Sequence, residues 1–153
     1  MSKRNGGKKR CVRRDLTLLL VLDTCVLKLA TLPGETNYAA LIVEMVLAGR
    51  LHATASPAML EEYGHVLSGA DEFLTALTTK LELCFPLTTL RVIRHSPDNR
   101  FLECALAAGA DWLLTVNTAP GQFDRAAYGQ TRVTTPGRFL RLPEVQALLR
   151  DLP

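Results

Sequence analysis

Carboxylate and amide side chains follow the segments of this chain that are most typical of β-strands. These residues are Asp23, Glu61, Glu62, Asp98 and Asn117. In open parallel sheets, ligands bind at the carboxyl ends of the strands, so we expect these side chains at one edge of a sheet. Hard oxygen ligands of this kind suit Mg²⁺ or Mn²⁺, and such an ion activates water for hydrolysis of a phosphodiester.

Each of these residues also has a purely structural interpretation. Asp98 is placed to cap the helix that follows it, and Asp23 and Asn117 could each belong to a turn. Glu61 and Glu62 are adjacent on one helix and point about 100° apart, so at most one of them faces the cleft. The residue types alone therefore leave both a metal site and a set of caps and turns open.

The elements that must position these side chains alternate along the chain. Strands are predicted at 16–22, 52–55, 90–93, 112–116 and 132–134. Helices are predicted at 37–48, 56–67, 72–83, 100–108 and 143–152, with a turn of helix beginning at 135–136. The run 16–22 is apolar without alternation, which is typical of a strand buried on both faces. The alternation predicts an α/β domain with a central parallel sheet covered by helices.

The net charge of +3 is unevenly distributed. Residues 1–14 contain seven basic residues and no acid, which leaves 11 basic against 15 acidic residues for the rest of the chain. We therefore expect a flexible basic arm at 1–14 and a single domain at 15–153. Such an arm can bind nucleic-acid phosphates through counterion release, and it can equally be a solvated tail that aids solubility. The predicted phosphate contacts are Lys8, Lys9, Arg10, Arg13 and Arg14.

Composition and motifs argue against several other classes of protein. Hydrophobic residues make up 48% of the chain and charged residues 22%, which is the balance of a globular domain. No apolar stretch reaches the roughly 18 residues that cross a bilayer, and no cleavage site of a signal peptide follows the first apolar run, so we expect a cytoplasmic protein. Four cysteines without CxxC spacing indicate reduced thiols. Cys25 could be reactive, although its place beside the first strand favours a buried thiol.

Five blocks of the sequence resemble the motifs of PIN-domain nucleases. They are 21–27 (VLDTCVL), 56–67 (SPAMLEEYGHVL), 97–115 (PDNRFLECALAAGADWLLT), 115–117 (TVN) and 133–140 (VTTPGRFL). The resemblance selects Glu62 over Glu61 as the acid of the second block. It implies a three-layer α/β/α sandwich and a Mg²⁺- or Mn²⁺-dependent endoribonuclease. Asp23, Glu62 and Asp98 would then be its catalytic, metal-binding acids, and Glu103 a possible accessory acid.

Two positions depart from the motifs of this family. Cys25 stands where the family usually has an Asn, which removes an amide that normally braces the first acid. Asn117 stands where the fourth acid is expected, so it keeps one oxygen ligand and loses a full negative charge, and affinity for a divalent ion should fall. We therefore expect a weakened metal site. The alternative is a catalytically degenerate PIN-fold module that binds RNA or a protein partner.

The resemblance also has implications for partners. Members of the PIN-domain family are often the toxin of a bacterial toxin–antitoxin pair, which implies RNA as the substrate and an antitoxin protein as a partner. Many relatives also form dimers. A homodimer is therefore a further expectation for this chain.

Overall fold

The centre of the protein is a six-stranded sheet, seen in a computed structural model that describes residues 18–33, 37–94 and 96–150. Its strands are β1 (Leu19–Leu22), β2 (His52–Ala55), β3 (Glu82–Leu83), β4 (Trp112–Leu114), β5 (Ala127–Tyr128) and β6 (Thr131–Thr134). They lie in the order β3-β2-β1-β4-β6-β5, and neighbouring strands are parallel except for β5 and β6. The predicted central parallel sheet is confirmed.

Seven α-helices lie within the described residues and complete a three-layer α/β/α sandwich. They are α1 (Thr24–Ala30), α2 (Tyr38–Leu47), α3 (Pro57–Val66), α4 (Asp71–Thr78), α5 (Asn99–Ala108), α6 (Pro136–Leu140) and α7 (Pro143–Arg150). Helix α3 begins as its sequence predicts, because the Ser56 hydroxyl accepts a hydrogen bond from the Met59 N–H at 3.2 Å and Pro57 is the first helical residue. Over the part of the chain that the structure describes, no helix is both long enough and apolar enough to cross a membrane.

The central strand β1 is completely covered by its neighbours. All four of its residues, Leu19–Leu22, are at most 2% exposed. Burial of one such leucine contributes roughly 2 kcal/mol of hydrophobic free energy, so β1 fixes the positions of the strands and helices around it. The prediction of a strand buried on both faces is confirmed for Leu19–Leu22, while residues 16–17 lie outside the described part of the chain.

The predicted strand at 90–93 is wrong. Two backbone N–H groups of this segment, those of Val92 and Ile93, donate to the side-chain oxygen of Asn99 at 3.0 and 2.8 Å. The Leu90 N–H donates to Glu103 Oε2 at 2.8 Å. Side chains of α5 therefore take the hydrogen bonds that a neighbouring strand would otherwise accept, and the segment stays irregular.

The chain between α3 and α5 also differs from its prediction. The helix predicted at 72–83 ends at Thr78, and Glu82–Leu83 forms β3, which pairs with Thr54 and Ala55 of β2. The Thr54 hydroxyl adds a hydrogen bond to the Glu82 carbonyl at 2.7 Å. A strand of two residues is too short to show periodicity, so it is recognised only through its partner strand.

Candidate functional site

The side chain of Asp23 is held at the carboxyl end of β1. Its backbone N–H donates to the Leu114 carbonyl of β4 at 3.0 Å, and the residue is 2% exposed. The Oδ2 atom accepts hydrogen bonds from the Thr115 hydroxyl at 2.6 Å, the Asn117 side-chain amide at 3.2 Å and the Cys25 thiol at 3.3 Å. Three donors from two strand ends therefore fix one oxygen of this buried carboxylate.

The loop after β4 brings the Asn117 amide to this carboxylate. Thr115 is fully buried, and its hydroxyl accepts the Asn117 N–H at 2.9 Å while donating to Asp23. The tight turn places the NH₂ group of Asn117, rather than its carbonyl oxygen, towards Asp23. In this arrangement Asn117 is a hydrogen-bond donor to the carboxylate.

Helix α3 brings Glu62 to the same pocket. The Tyr63 hydroxyl donates to the Leu22 carbonyl at 2.5 Å, which attaches α3 to the end of β1. Glu62 Oε2 accepts the Thr24 hydroxyl at 2.6 Å, and Glu62 Oε1 lies 3.2 Å from Nη1 of Arg100 on α5. Glu61 is exposed, so Glu62 is the member of the pair that faces the cleft.

Asp98 lies immediately before the start of α5. It is buried and ends a 3₁₀ turn, Ser96–Asp98, that runs directly into the helix. Its backbone is helical, with φ −70° and ψ −18°, and its side chain makes no capping hydrogen bond. A helix N-cap normally has an extended backbone, so the capping interpretation of Asp98 is wrong. Asp98 lies two residues before Arg100, the residue whose guanidinium reaches Glu62.

The structure therefore brings Asp23 and Glu62 to one pocket, and Asp98 is buried at the start of α5. Among residues 18–33, 37–94 and 96–150, no three His, Cys, Asp or Glu side chains converge closely enough to hold a metal ion. The contact between the first two acids runs through Thr24, which follows Asp23 and donates to Glu62. The site is a pair of adjacent carboxylates and not a cage of three.

Burial raises the pKa of Asp23 above its usual value, and the negative charge of Glu62 raises it further. Hydrogen bonds from Thr115, Cys25 and the Thr24 backbone act in the opposite direction. The ionised carboxylate is therefore incompletely compensated, and a positive charge bound beside it would lower its pKa. The oxygen donors of Asp23 and Glu62 are of the type that a divalent cation such as Mg²⁺ prefers. Within the described part of the chain, the number of converging acids is two.

Cys25 has a role that the sequence did not indicate. Its thiol donates to Asp23 and its sulfur accepts the Val116 N–H at 3.5 Å. Burial, and then the negative charge of Asp23, raise the pKa of Cys25 to about 12. The raised pKa keeps the thiol protonated and unreactive, but Cys25 is half-buried, so the buried-thiol interpretation is confirmed only in part. The usual amide is absent, as expected, but a hydrogen bond to the first acid is retained.

Other predicted site residues lie elsewhere. Glu103 does not contribute to the pocket through Oε2, which accepts the Leu90 N–H and holds the segment before α5. The predicted phosphate contacts in the basic arm, Lys8, Lys9, Arg10, Arg13 and Arg14, lie outside the described residues. Sequence reasoning missed Thr24, Thr115 and Arg100, although each lies within two residues of a predicted site residue.

A comparison with known protein families agrees with this geometry. The family model described as PIN domain matches residues 19–119, a range that contains Asp23, Glu62, Asp98 and Asn117. No curated protein and no solved structure matches the chain. Because the family model covers more than half of the sequence, the chain belongs to the PIN domain family.

Proposed function

We propose that this protein is an endoribonuclease that depends on Mg²⁺ or Mn²⁺ and has a weakened metal site. The observation that carries the proposal is the buried Asp23 carboxylate, linked to Glu62 through Thr24 and left with a raised pKa. Two adjacent acids at the carboxyl edge of a parallel sheet are suited to a divalent ion. The PIN domain is a nuclease-type fold whose members generally use divalent metals, which supports the same chemistry.

In this proposal Asp23 and Glu62 would be the central ligands of the ion, and Asp98 and Asn117 would be the third and fourth ligand positions of the family motifs. The bound ion supplies an activated water and neutralises charge that develops on the phosphodiester. The protein's own contribution is positioning, because the Thr115 hydroxyl holds one oxygen of Asp23 in place. RNA cleavage would then leave a 5′-phosphate and a 3′-hydroxyl.

The weakness of the site follows from two contacts. Asn117 presents its NH₂ group to Asp23, so an amide donor stands where a further carboxylate would attract a cation. Arg100 already supplies one positive charge to Glu62. Asn117 adds no negative charge and Arg100 offsets that of Glu62, so a divalent ion would meet less negative charge than four acids provide, and its affinity falls with the number of charged ligands.

The test restores the missing acid. We expect Asn117→Asp to cleave single-stranded RNA at least about tenfold faster than the native protein at limiting Mn²⁺, because a fourth carboxylate strengthens the site. EDTA should abolish cleavage by both proteins. Asn37→Asp is the matched control, since an Asp can still accept the Ala40 N–H that caps α2. This variant loses the two hydrogen bonds that the Asn37 amide donates to the Leu29 and Leu32 carbonyls, so a thermal melt must show that it is folded. Absence of cleavage by native protein and by Asn117→Asp at every Mn²⁺ concentration would contradict the proposal.

A second candidate is favoured by the same two contacts. Arg100 and Asn117 satisfy the two acids without any metal, which is what a catalytically degenerate module that binds RNA or a protein needs. This candidate predicts RNA binding that is equal in Mn²⁺ and EDTA, with no cleavage by Asn117→Asp. The nuclease proposal predicts the opposite on both measurements.

The proposal extends to a biological role as the toxin of a toxin–antitoxin pair in the cytoplasm. This role is supported by the family resemblance, which also implies an antitoxin partner and a homodimer. Expression of the chain should arrest growth, and expression with a small protein encoded beside it should relieve the arrest. Growth arrest that persists in Asp23→Asn would separate toxicity from RNA cleavage and contradict this role.

A further inference from the structure

We infer that Arg100 is an internal counter-ion that competes with a divalent cation for Glu62. The inference rests on the proposed function, because it concerns the same pair of acids. It adds a regulating residue that the sequence motifs did not indicate. Its consequence is that a side chain of the protein itself lowers the affinity of the pocket for a divalent ion.

Both carboxylate oxygens of Glu62 already have a hydrogen-bond or ion-pair partner. Its Oε1 atom lies 3.2 Å from Arg100 Nη1, and its Oε2 atom accepts the Thr24 hydroxyl at 2.6 Å. Each oxygen of the carboxylate therefore already has a donor. A metal ion that uses Glu62 must share one of these oxygens or displace its present partner.

The Thr24 contact is the less easily displaced of the two. Thr24 is buried at the start of α1, so a hydroxyl that turned away from Glu62 would have no solvent to donate to. Arg100 is different, because about a third of its side chain, 32%, is exposed to solvent. The guanidinium can leave Glu62 for water at little cost, which makes it the partner that an arriving cation would displace.

The charge of Arg100 makes the competition obligatory. A guanidinium stays protonated over the whole physiological pH range, so it cannot release Glu62 by losing a proton. Arg100 and a divalent ion on Glu62 would repel one another in a pocket where solvent screening is reduced, because the carboxylate itself is only 21% exposed. Removal of this positive charge should therefore strengthen cation binding.

The experiment is a calorimetric titration of chelator-treated protein with MnCl₂ alone. We expect Arg100→Gln to bind Mn²⁺ about three- to tenfold more tightly than the native protein, the range expected for a partly exposed ion pair. Arg100→Lys keeps the charge and should bind Mn²⁺ like the native protein. If Arg100 instead positions Glu62 for the metal, Arg100→Gln will bind Mn²⁺ more weakly than the native chain, which would overturn the inference.

Two further variants separate the possible causes. Arg132→Gln breaks another Arg–Glu pair, with an N···O distance of 3.1 Å to Glu144, at the opposite edge of the sheet, and should leave Mn²⁺ affinity unchanged. The double change Asp23→Asn with Arg100→Gln should lose the gained affinity, which would show that the ion binds at this pocket. Thermal melts of all variants establish that each protein is folded.

The outcomes also distinguish this inference from the proposed function. Equal Mn²⁺ affinity in native protein and Arg100→Gln would overturn the counter-ion role and leave a metal-dependent nuclease intact. Binding by Arg100→Gln but not by native protein would support the inference in its strongest form. Binding by neither protein at millimolar Mn²⁺ would overturn both.

Discussion

The two edges of the parallel sheet use the same kinds of side chain for different purposes. At the amino edge, Asp111 Oδ2 accepts the Leu19 N–H at 2.8 Å and so joins the start of β4 to β1. Arg132 pairs with Glu144 at 3.1 Å, and both side chains are well exposed, at 54% and 44%. Each charge at this edge either satisfies a backbone group or faces water.

At the carboxyl edge the charged side chains are more deeply buried. Asp23 is 2% exposed, and Glu62 and Arg100 form an ion pair in which the carboxylate is only 21% exposed. Arg100 pairs with Glu62, and burial raises the pKa of Asp23. The same residue types therefore have an ordinary structural role at one edge, whereas at the other they include a buried carboxylate whose charged form is disfavoured.

The largest difference between the edges should be catalytic. We expect Asp23→Asn to lower Mn²⁺-dependent RNA cleavage by at least about 10²-fold, since even partners behind a metal ligand are worth 10- to 100-fold. Asp111→Asn makes the same chemical change at the amino edge and should stay within about twofold of the native rate. Cleavage that falls equally in both variants would show that stability, and not the carboxylate of Asp23, limits the activity.

A smaller effect concerns the reactivity of the thiol beside Asp23. The ordinary pKa of a cysteine thiol is 9.0, and a pKa of about 12 lowers the thiolate fraction of Cys25 roughly 10³-fold. A more basic thiolate is also more nucleophilic, which reduces the expected loss of reactivity to about 30-fold. We therefore expect native Cys25 to react with iodoacetamide at least about 30-fold more slowly than in unfolded protein, measured on its peptide by mass spectrometry.

The charge of Asp23 can be separated from burial in the same measurement. Asp23→Asn removes the second cause of the raised pKa of Cys25 and should speed its alkylation, whereas Asp111→Asn should not. Cys104 is the internal control, because burial and the neighbouring Cys84 raise its pKa to about 12 without Asp23. Equal acceleration of Cys25 and Cys104 in Asp23→Asn would indicate general loosening of the fold.

The difference between the edges was partly visible in the sequence. Asp23 follows an unbroken apolar run. Such a run predicts a strand buried on both faces, and the residue after a strand lies at the edge of the sheet. Glu62 required the family resemblance, since helical geometry alone could not choose it over Glu61. Asp23 was therefore predictable from local order along the chain, whereas the choice of Glu62 depended on its match to the family motif.

What could not be predicted depends on contacts between distant segments. The Arg100–Glu62 pair exists only because α3 and α5 pack beside one another, and no local pattern encodes that contact. Asn99 illustrates the same limit, because its side chain captures backbone donors of 92–93 and prevents the strand that the apolar residues there suggest. In both cases the structure depends on a contact between a side chain and another segment of the chain, which a local sequence pattern does not reveal.

Two buried hydroxyls provide a matched test of position at each edge. The Tyr63 hydroxyl donates to the Leu22 carbonyl beside Asp23, and the Thr131 hydroxyl donates to the Ala110 carbonyl at the amino edge at 2.8 Å. Tyr63→Phe and Thr131→Val should each lower the free energy of unfolding by about 1 kcal/mol in urea titrations. Cleavage should fall several-fold only in Tyr63→Phe, because that bond places the helix that carries Glu62. An equal fall in both variants would count against a positioning role.

The smallest expected effect is on stability as a function of pH. Because burial, aided by Glu62, raises the pKa of Asp23 in the folded protein, the folded state binds more protons than the unfolded state between pH 3.8 and that raised value. The contribution of Asp23 to stability therefore decreases as pH rises through this window and stays at its lower level above it. Hydrogen bonds from Thr115 and Cys25 offset part of the cost, which keeps the effect small. In urea titrations without metal, the free energy of unfolding of Asp23→Asn should increase relative to that of the native protein from pH 4 to pH 7. A relative decrease over this range would mean that the fold lowers the pKa of Asp23 instead.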